Sequence, residues 1–144
     1  MSARIQVVLS RQPILLSWVQ DAMGDPDSGA NLIFLGTTRR RTLADGATIF
    51  TDRLEYEAYQ PMAEQELQRL LQEASEKWDL RRLVAVHRLG VVAVGDASVA
   101  IGLASPHRLA CMQAMPWIMD QLKNRVPIWK QEQFSDGSRQ WIHP

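Results

Sequence analysis

An α+β fold is predicted by three features: a long stretch with a helical apolar stripe, a stretch with strand alternation, and a β-rich run cut by glycines. The stripe lies in PMAEQELQRLLQEASEKW, where Ala63, Leu67, Leu70, Leu71, Ala74 and Trp78 fall on one helical face and the glutamates on the other. The alternation lies in TDRLEYEAY, which sets Leu54 and Tyr56 against Arg53, Glu55 and Glu57, the period-two pattern of a half-buried strand. The run RLVAVHRLGVVAVGDASVAIGLAS holds three β-rich pieces divided at Gly90, Gly95-Asp96 and Gly102, and predicts antiparallel strands with a hairpin near Gly95.

The remaining elements follow in chain order. RIQVVL reads as a short first strand, and PILLSWVQDAM as a helix with Pro13 near its first position, where a missing N–H costs little. GDPDSGA is a loop of turn formers, and NLIFLG is a buried-strand candidate. TTRRRTLADGAT, polar and glycine-containing, predicts a mobile surface loop carrying Arg39, Arg40 and Arg41. A second long helix is expected from about His107 to Lys123, with Ser105 as N-cap, Pro106 at the first position, and Leu109, Met112, Met119 and Leu122 inward. Pro116 removes one backbone hydrogen bond from it, so a kink or local break is expected there. Pro127 prevents simple continuation, and the chain finishes through KQEQFSDGSRQWIHP with one turn at Asp136-Gly137.

With 144 residues the chain is sized for one domain, 1–144, with a sizeable core. Its 46% hydrophobic and 22% charged residues speak against extended disorder. No run approaches the roughly 18 apolar residues of a membrane span, and MSARIQVVLS lacks the length and cleavage site of a signal peptide, so a cytoplasmic protein is the expectation. Cys111 is the only cysteine, which excludes an internal disulfide, a CxxC redox pair and a cysteine-built zinc site; a buried core thiol is expected. His87, His107 and His143 lack the spacing of a helical zinc pair, and no metal or cofactor is expected.

The 16 basic and 16 acidic residues cancel, which argues against a generic nucleic-acid coat. Their distribution is uneven. Glu55, Glu57, Glu64, Glu66, Glu73, Glu76 and Asp79 dominate one segment, while Arg81, Arg82, Arg88, Arg108, Lys123, Arg125 and Lys130 dominate the next. This predicts an acidic helix face and a cationic site for a small anion, although two separately solvated faces fit charge alone equally well. His107-Arg108 at a helix start is a ready anion site, because free backbone N–H groups and a guanidinium point the same way. His87-Arg88 before Gly90 reads either as a second such cluster or as a satisfied, partly buried histidine beside a salt-bridge partner. Lys123 and Lys130 flank Pro127, and spacing alone leaves them either solvated charges or two arms of one acid–base site.

The ordered set FLGTTR, LEYEAY, MAEQELQ, HRLG, SPHR and LKNRVPIWKQE, from about Asn31 to Trp141, resembles the MoaE family, the large subunits of molybdopterin synthase. The resemblance implies an α/β hammerhead fold with an additional small antiparallel β subdomain, expected within about 36–60. It implies a sulfurtransferase of molybdenum cofactor biosynthesis that converts cyclic pyranopterin monophosphate to molybdopterin. The two dithiolene sulfurs would come from the C-terminal Gly-Gly thiocarboxylate of a small ubiquitin-like subunit, within a heterotetramer built on a homodimer of large subunits. A binding scaffold that grips such a tail without chemistry is the alternative.

By the same resemblance Lys123 and Lys130 match the active-site lysines. Lys123 is expected to be the acid–base residue, and Lys130 to bind substrate or the partner's terminus, with transient attachment to the partner's tail as an alternative. His107 and Arg108 match phosphate-holding positions, and Arg39 the arginine after the second strand. Thr37 and Thr38 are expected to offer backbone contact, and Gln131 and Glu132 to contact substrate from the turn after Lys130.

Overall fold

The structure is a computed structural model that describes residues 3–142. The chain runs β1 (Arg4–Ser10), α1 (Leu16–Ala22), β2 (Ala30–Thr37), β3 (Arg41–Ala44), β4 (Ala47–Ala58) and α2 (Gln60–Lys77). It continues through β5 (Arg82–Arg88), β6 (Gly90–Ala93), β7 (Ala97–Ser105), α3 (Arg108–Arg125), β8 (Ile128–Phe134) and β9 (Arg139–Ile142). The class is α+β, as the alternating and helical patterns predict.

The first sheet has the order β1-β5-β7-β2, with β1 parallel to β5 and the other pairs antiparallel. It is covered on both faces, which explains why β5 and β7 read as nearly continuous apolar runs. Leu83, Ala85, Ile101 and Leu103 pack with Leu67, Leu70, Leu71 and Ala74 of α2 and with Cys111, Ala114 and Ile118 of α3. On the other face Val84, Val86 and Ala100 pack with Val19 and Met23 around α1. Gly102 permits that approach: a Cβ there would stand 2.4 Å from the Met23 sulfur.

The second sheet has the order β3-β4-β8-β9, and β6 also pairs with β4. Its spine is β4, whose Leu54 and Tyr56 are buried as the alternation predicts. The 37–48 stretch is not a plain surface loop. Arg41–Ala44 pairs antiparallel with Ala47–Phe50 around Asp45 (φ 51°) and Gly46 (φ 75°), a two-residue turn whose left-handed backbone matches the twist of the hairpin. The expected hairpin at Gly95 does not form either: β6 leaves the first sheet to pair with β4, while β7 pairs with β5 and β2.

The helices depart from expectation in four ways. α1 begins at Leu16 rather than Pro13; no capping side chain precedes it, and Ile14 packs beside Val84 and Val86 instead. α3 begins at Arg108 with His107 at the cap, because Ser105 stays in β7 and its hydroxyl donates to the His107 carbonyl at 2.6 Å. α3 also runs through Pro116 without a break. Pro116 and Met112, whose carbonyl loses its partner, are both exposed, so water can satisfy the freed oxygen. Its inner face is Cys111, Ala114, Met115 and Ile118, whereas Leu109 and Met112 are 61% and 59% exposed. Cys111 is the buried thiol expected, and burial pushes its pKa up against the opposing Ser105 hydrogen bond.

Candidate active site

α3 ends at Arg125, where the Val126 N–H still donates to the Leu122 carbonyl at 3.2 Å, and Pro127 turns the chain into β8. Val126 and Ile128 are buried on either side of that proline and anchor the reversal. Lys123 on the last helical turn and Lys130 on β8 consequently line one cavity of about 440 Å³, together with Tyr56, His87 and Ser98. Val99, Met119, Leu122 and Ile142 supply apolar wall, and Asp120 stands on its edge. Tyr56 is the cross-strand partner of Lys130, and residues directly opposite in an antiparallel pair project to the same side of the sheet.

Charge in this region is sorted by pairing. Arg125 donates from Nε and Nη2 to Glu66 at 2.9 and 2.8 Å and also pairs with Glu73, so the acidic face of α2 neutralises it. Arg88 lies 3.5 Å from Asp96, and Arg81 lies 3.5 Å from both Asp25 and Asp27. The expected division into one acidic face and one cationic site is therefore partly cancelled by these bridges. The side chains of Lys123 and Lys130 make no hydrogen bond or ion pair among the described residues. Two unspent ammonium groups at a partly apolar cavity attract an anion more strongly than either would in open water.

The inner end of the cavity is built from rings. Tyr56 and His87 meet edge to face, 4.9 Å between centroids, and both are more than nine-tenths buried. Burial pushes the Tyr56 phenol above its usual range; the hydrogen bond with Ser98 opposes this and the Glu132 charge adds to it. Burial holds the His87 imidazole down to about 4, against the smaller opposing effect of its bond to the Arg88 carbonyl, so it is neutral at pH 7. Tyr56 and Ser98 carried no sequence signal as site residues. His87 did stand out in HRLG, but nothing local revealed that β5 would end at the lysine cavity.

The structure brings only some of the other expected residues near this cavity. Thr37 ends β2 opposite Ala97, next to the cavity residue Ser98, and exposed Arg39 follows two positions later. Thr38 is buried; its N–H donates to the Asp96 carbonyl at 3.0 Å and its carbonyl accepts from Gly95 at 2.9 Å. Glu132 shares the Lys130 side of β8, and its carboxylate accepts from the Thr51 hydroxyl at 3.0 Å. Gln131 falls on the opposite side of that strand. His107 and Arg108 are not beside the lysines. They border a separate open depression at the start of α3, roughly 22 Å along the helix axis from Lys123. There the first backbone N–H groups of α3 have no side-chain cap.

Among the described residues no three His, Cys, Asp or Glu side chains gather as metal ligands would, and no helix is long and apolar enough to cross a membrane. Fold and site thus define an α+β protein with a cleft lined by two lysines where two sheets meet. The chain belongs to the MoaE family, whose model, described as MoaE protein, matches residues 9–125.

Individual relatives agree with that assignment. The molybdopterin synthase catalytic subunit of Bacillus subtilis is 40% identical over 134 residues, covering 93% of this chain and 82% of the relative. That of Drosophila willistoni is 42% identical over 137 residues, covering 94% of this chain and 36% of the relative. An X-ray crystal structure of molybdopterin synthase from Staphylococcus aureus matches with a TM-score of 0.84 at 32% identity, covering 96% of each chain. The chain spans 36% to 60% of the length of its fly, bovine and rat relatives.

Proposed function

We propose that this chain is the catalytic subunit of a molybdopterin synthase, converting cyclic pyranopterin monophosphate to molybdopterin. Each dithiolene sulfur arrives as the C-terminal thiocarboxylate of a small ubiquitin-like subunit and leaves a carboxylate on that partner. The observation that carries this reading is the pair of unspent lysines, Lys123 and Lys130, facing one cavity while the neighbouring arginines are neutralised. The name shared by the relatives supports it.

In this reading Lys123, on the helix, moves protons during sulfur attack and water loss. Lys130 binds the anionic end of substrate or tail and stabilises charge that develops there. Arg39, Thr37 and Glu132 supply the nearer contacts, whereas Gln131 faces away from Lys130 and the backbone groups of Thr38 are already spent on Asp96 and Gly95. His107 and Arg108 take the phosphate at the uncapped start of α3. Their distance from the lysines means that one chain cannot close both ends around one small molecule, which favours a homodimer with a small subunit at each end. The reaction is placed in the cytoplasm.

The test mixes purified protein, thiocarboxylated partner and cyclic pyranopterin monophosphate, then measures the fluorescent oxidised pterin. Product formation is expected. Tight partner binding with no product would instead establish a scaffold.

A further inference from the structure

The cavity holds a third nitrogen that the family motifs leave without a role. His87 lies near the end of β5 and lines the cavity beside Tyr56. Its Nδ1 stands 2.9 Å from the Arg88 carbonyl oxygen. A carbonyl can only accept, so the ring proton sits on Nδ1 and Nε2 carries the bare lone pair. Among the described residues nothing spends that lone pair. Nor is it sealed away: the sealed, unpartnered side-chain polar atoms are Thr38 Oγ1 and Arg88 Nε.

The other polar groups of the cavity divide sharply by kind. Lys123 and Lys130 can only donate. The Ser98 hydroxyl donates to the Gly36 carbonyl at 3.4 Å and lies beside the Tyr56 phenol, whose pKa it lowers against burial. Asp120 is exposed at the edge. A ligand carrying both an anion and N–H donors would therefore find its anion sites on the lysines and an uncommitted buried acceptor on His87. Burial keeps that imidazole neutral at pH 7.

We propose that His87 is a substrate-binding residue of this cavity, its Nε2 accepting a hydrogen bond from an N–H donor of the pterin ring system. This rests on the pyranopterin reading above and deepens it, since it assigns the orientation of the ring rather than of the phosphate.

Three variants separate the hydrogen bond from mere packing. His87→Phe keeps a ring against Tyr56 and removes both nitrogens. His87→Asn keeps a donor for the Arg88 carbonyl and removes Nε2. His87→Gln extends an amide oxygen toward the Nε2 position. Phe and Asn are expected to raise KM for cyclic pyranopterin monophosphate about tenfold, with a smaller change in kcat, and Gln to recover most of that loss. KM for the thiocarboxylated partner should stay at the wild-type value. A wild-type pyranopterin KM in His87→Phe, or a Gln variant no better than Phe, overturns the proposal.

Nitrogen NMR of the wild-type protein gives a second readout if the variants fold poorly. The His87 Nε2 resonance should shift when the pyranopterin is added, and an unmoved resonance at saturation overturns the assignment. Wild-type protein that forms no molybdopterin would overturn the function itself, whereas active wild type with an unaffected His87→Phe overturns only this inference.

Discussion

Lys123 and Arg125 stand two residues apart on the last turn of α3 and are committed differently: Arg125 is clamped by Glu66 and Glu73 of α2, while Lys123 is exposed at the cavity with no side-chain partner among the described residues. The clamp fixes the end of the helix, and the fixed end presents the free lysine.

Arg125→Ala should therefore destabilise the fold by about 2 kcal/mol, because it leaves two carboxylates of α2 without the guanidinium that bridges them. Lys123→Ala should change stability by less than about 0.5 kcal/mol, since no described residue pairs with its charge. Urea unfolding midpoints of the two variants provide the comparison.

His87 makes stability depend on pH with a defined sign. Its folded pKa of about 4 lies below the roughly 6.5 of an unfolded histidine, so between these values the unfolded chain binds a proton that the folded one does not. Its burial is tolerated without penalty above about pH 6.5; stability falls as pH drops through this window, and the effect levels off below about 4. The full loss is roughly 3 kcal/mol from this residue. Unfolding curves between pH 7 and 4 should be flatter by that amount in His87→Phe.

Gly102→Ala should cost about 1 to 3 kcal/mol, since its methyl would meet the Met23 sulfur at 2.4 Å and a Val19 methyl at 3.2 Å. The double variant with Met23→Ala should lose less than the sum of the two single losses in the same unfolding measurement, because the two side chains compete for one space.

Pro116→Ala should raise stability by about 1 to 2 kcal/mol. It restores a helical hydrogen bond in a helix that already runs straight through this exposed position, less what the unfolded chain gains in freedom. Thermal melting of the purified chain measures the gain.

Local patterns gave α2 and β4 in the sequence because each has one dry face and one wet face, so their period survives in the residue order. α3 lacks that contrast. Leu109 and Met112 are as apolar as Met115 and Ile118, and only the packing against β2 and β7 decides which set turns inward. The β3–β4 hairpin was masked by the arginines that precede it, although Asp45-Gly46 carries its turn chemistry. The pairing of β6 is not legible locally, because its partner, β4, lies far away in the chain and on another sheet.

The site divides in the same way. Lys123 and Lys130 stood out through a contiguous motif, and the turn at Pro127 is local. Tyr56 opposite Lys130, and His87 against Tyr56, depend on a register between distant strands that no local spacing encodes. The split of His107 and Arg108 from the lysines follows from helix length, yet it emerged only once α3 proved continuous through Pro116.

The proposed function rests on Lys123 moving protons at a preformed cleft. Its most direct test is single-turnover molybdopterin formation by Lys123→Ala, with partner binding measured on the same preparation. Loss of product by at least a hundredfold with unchanged partner affinity is the predicted result; product at the wild-type rate would contradict it.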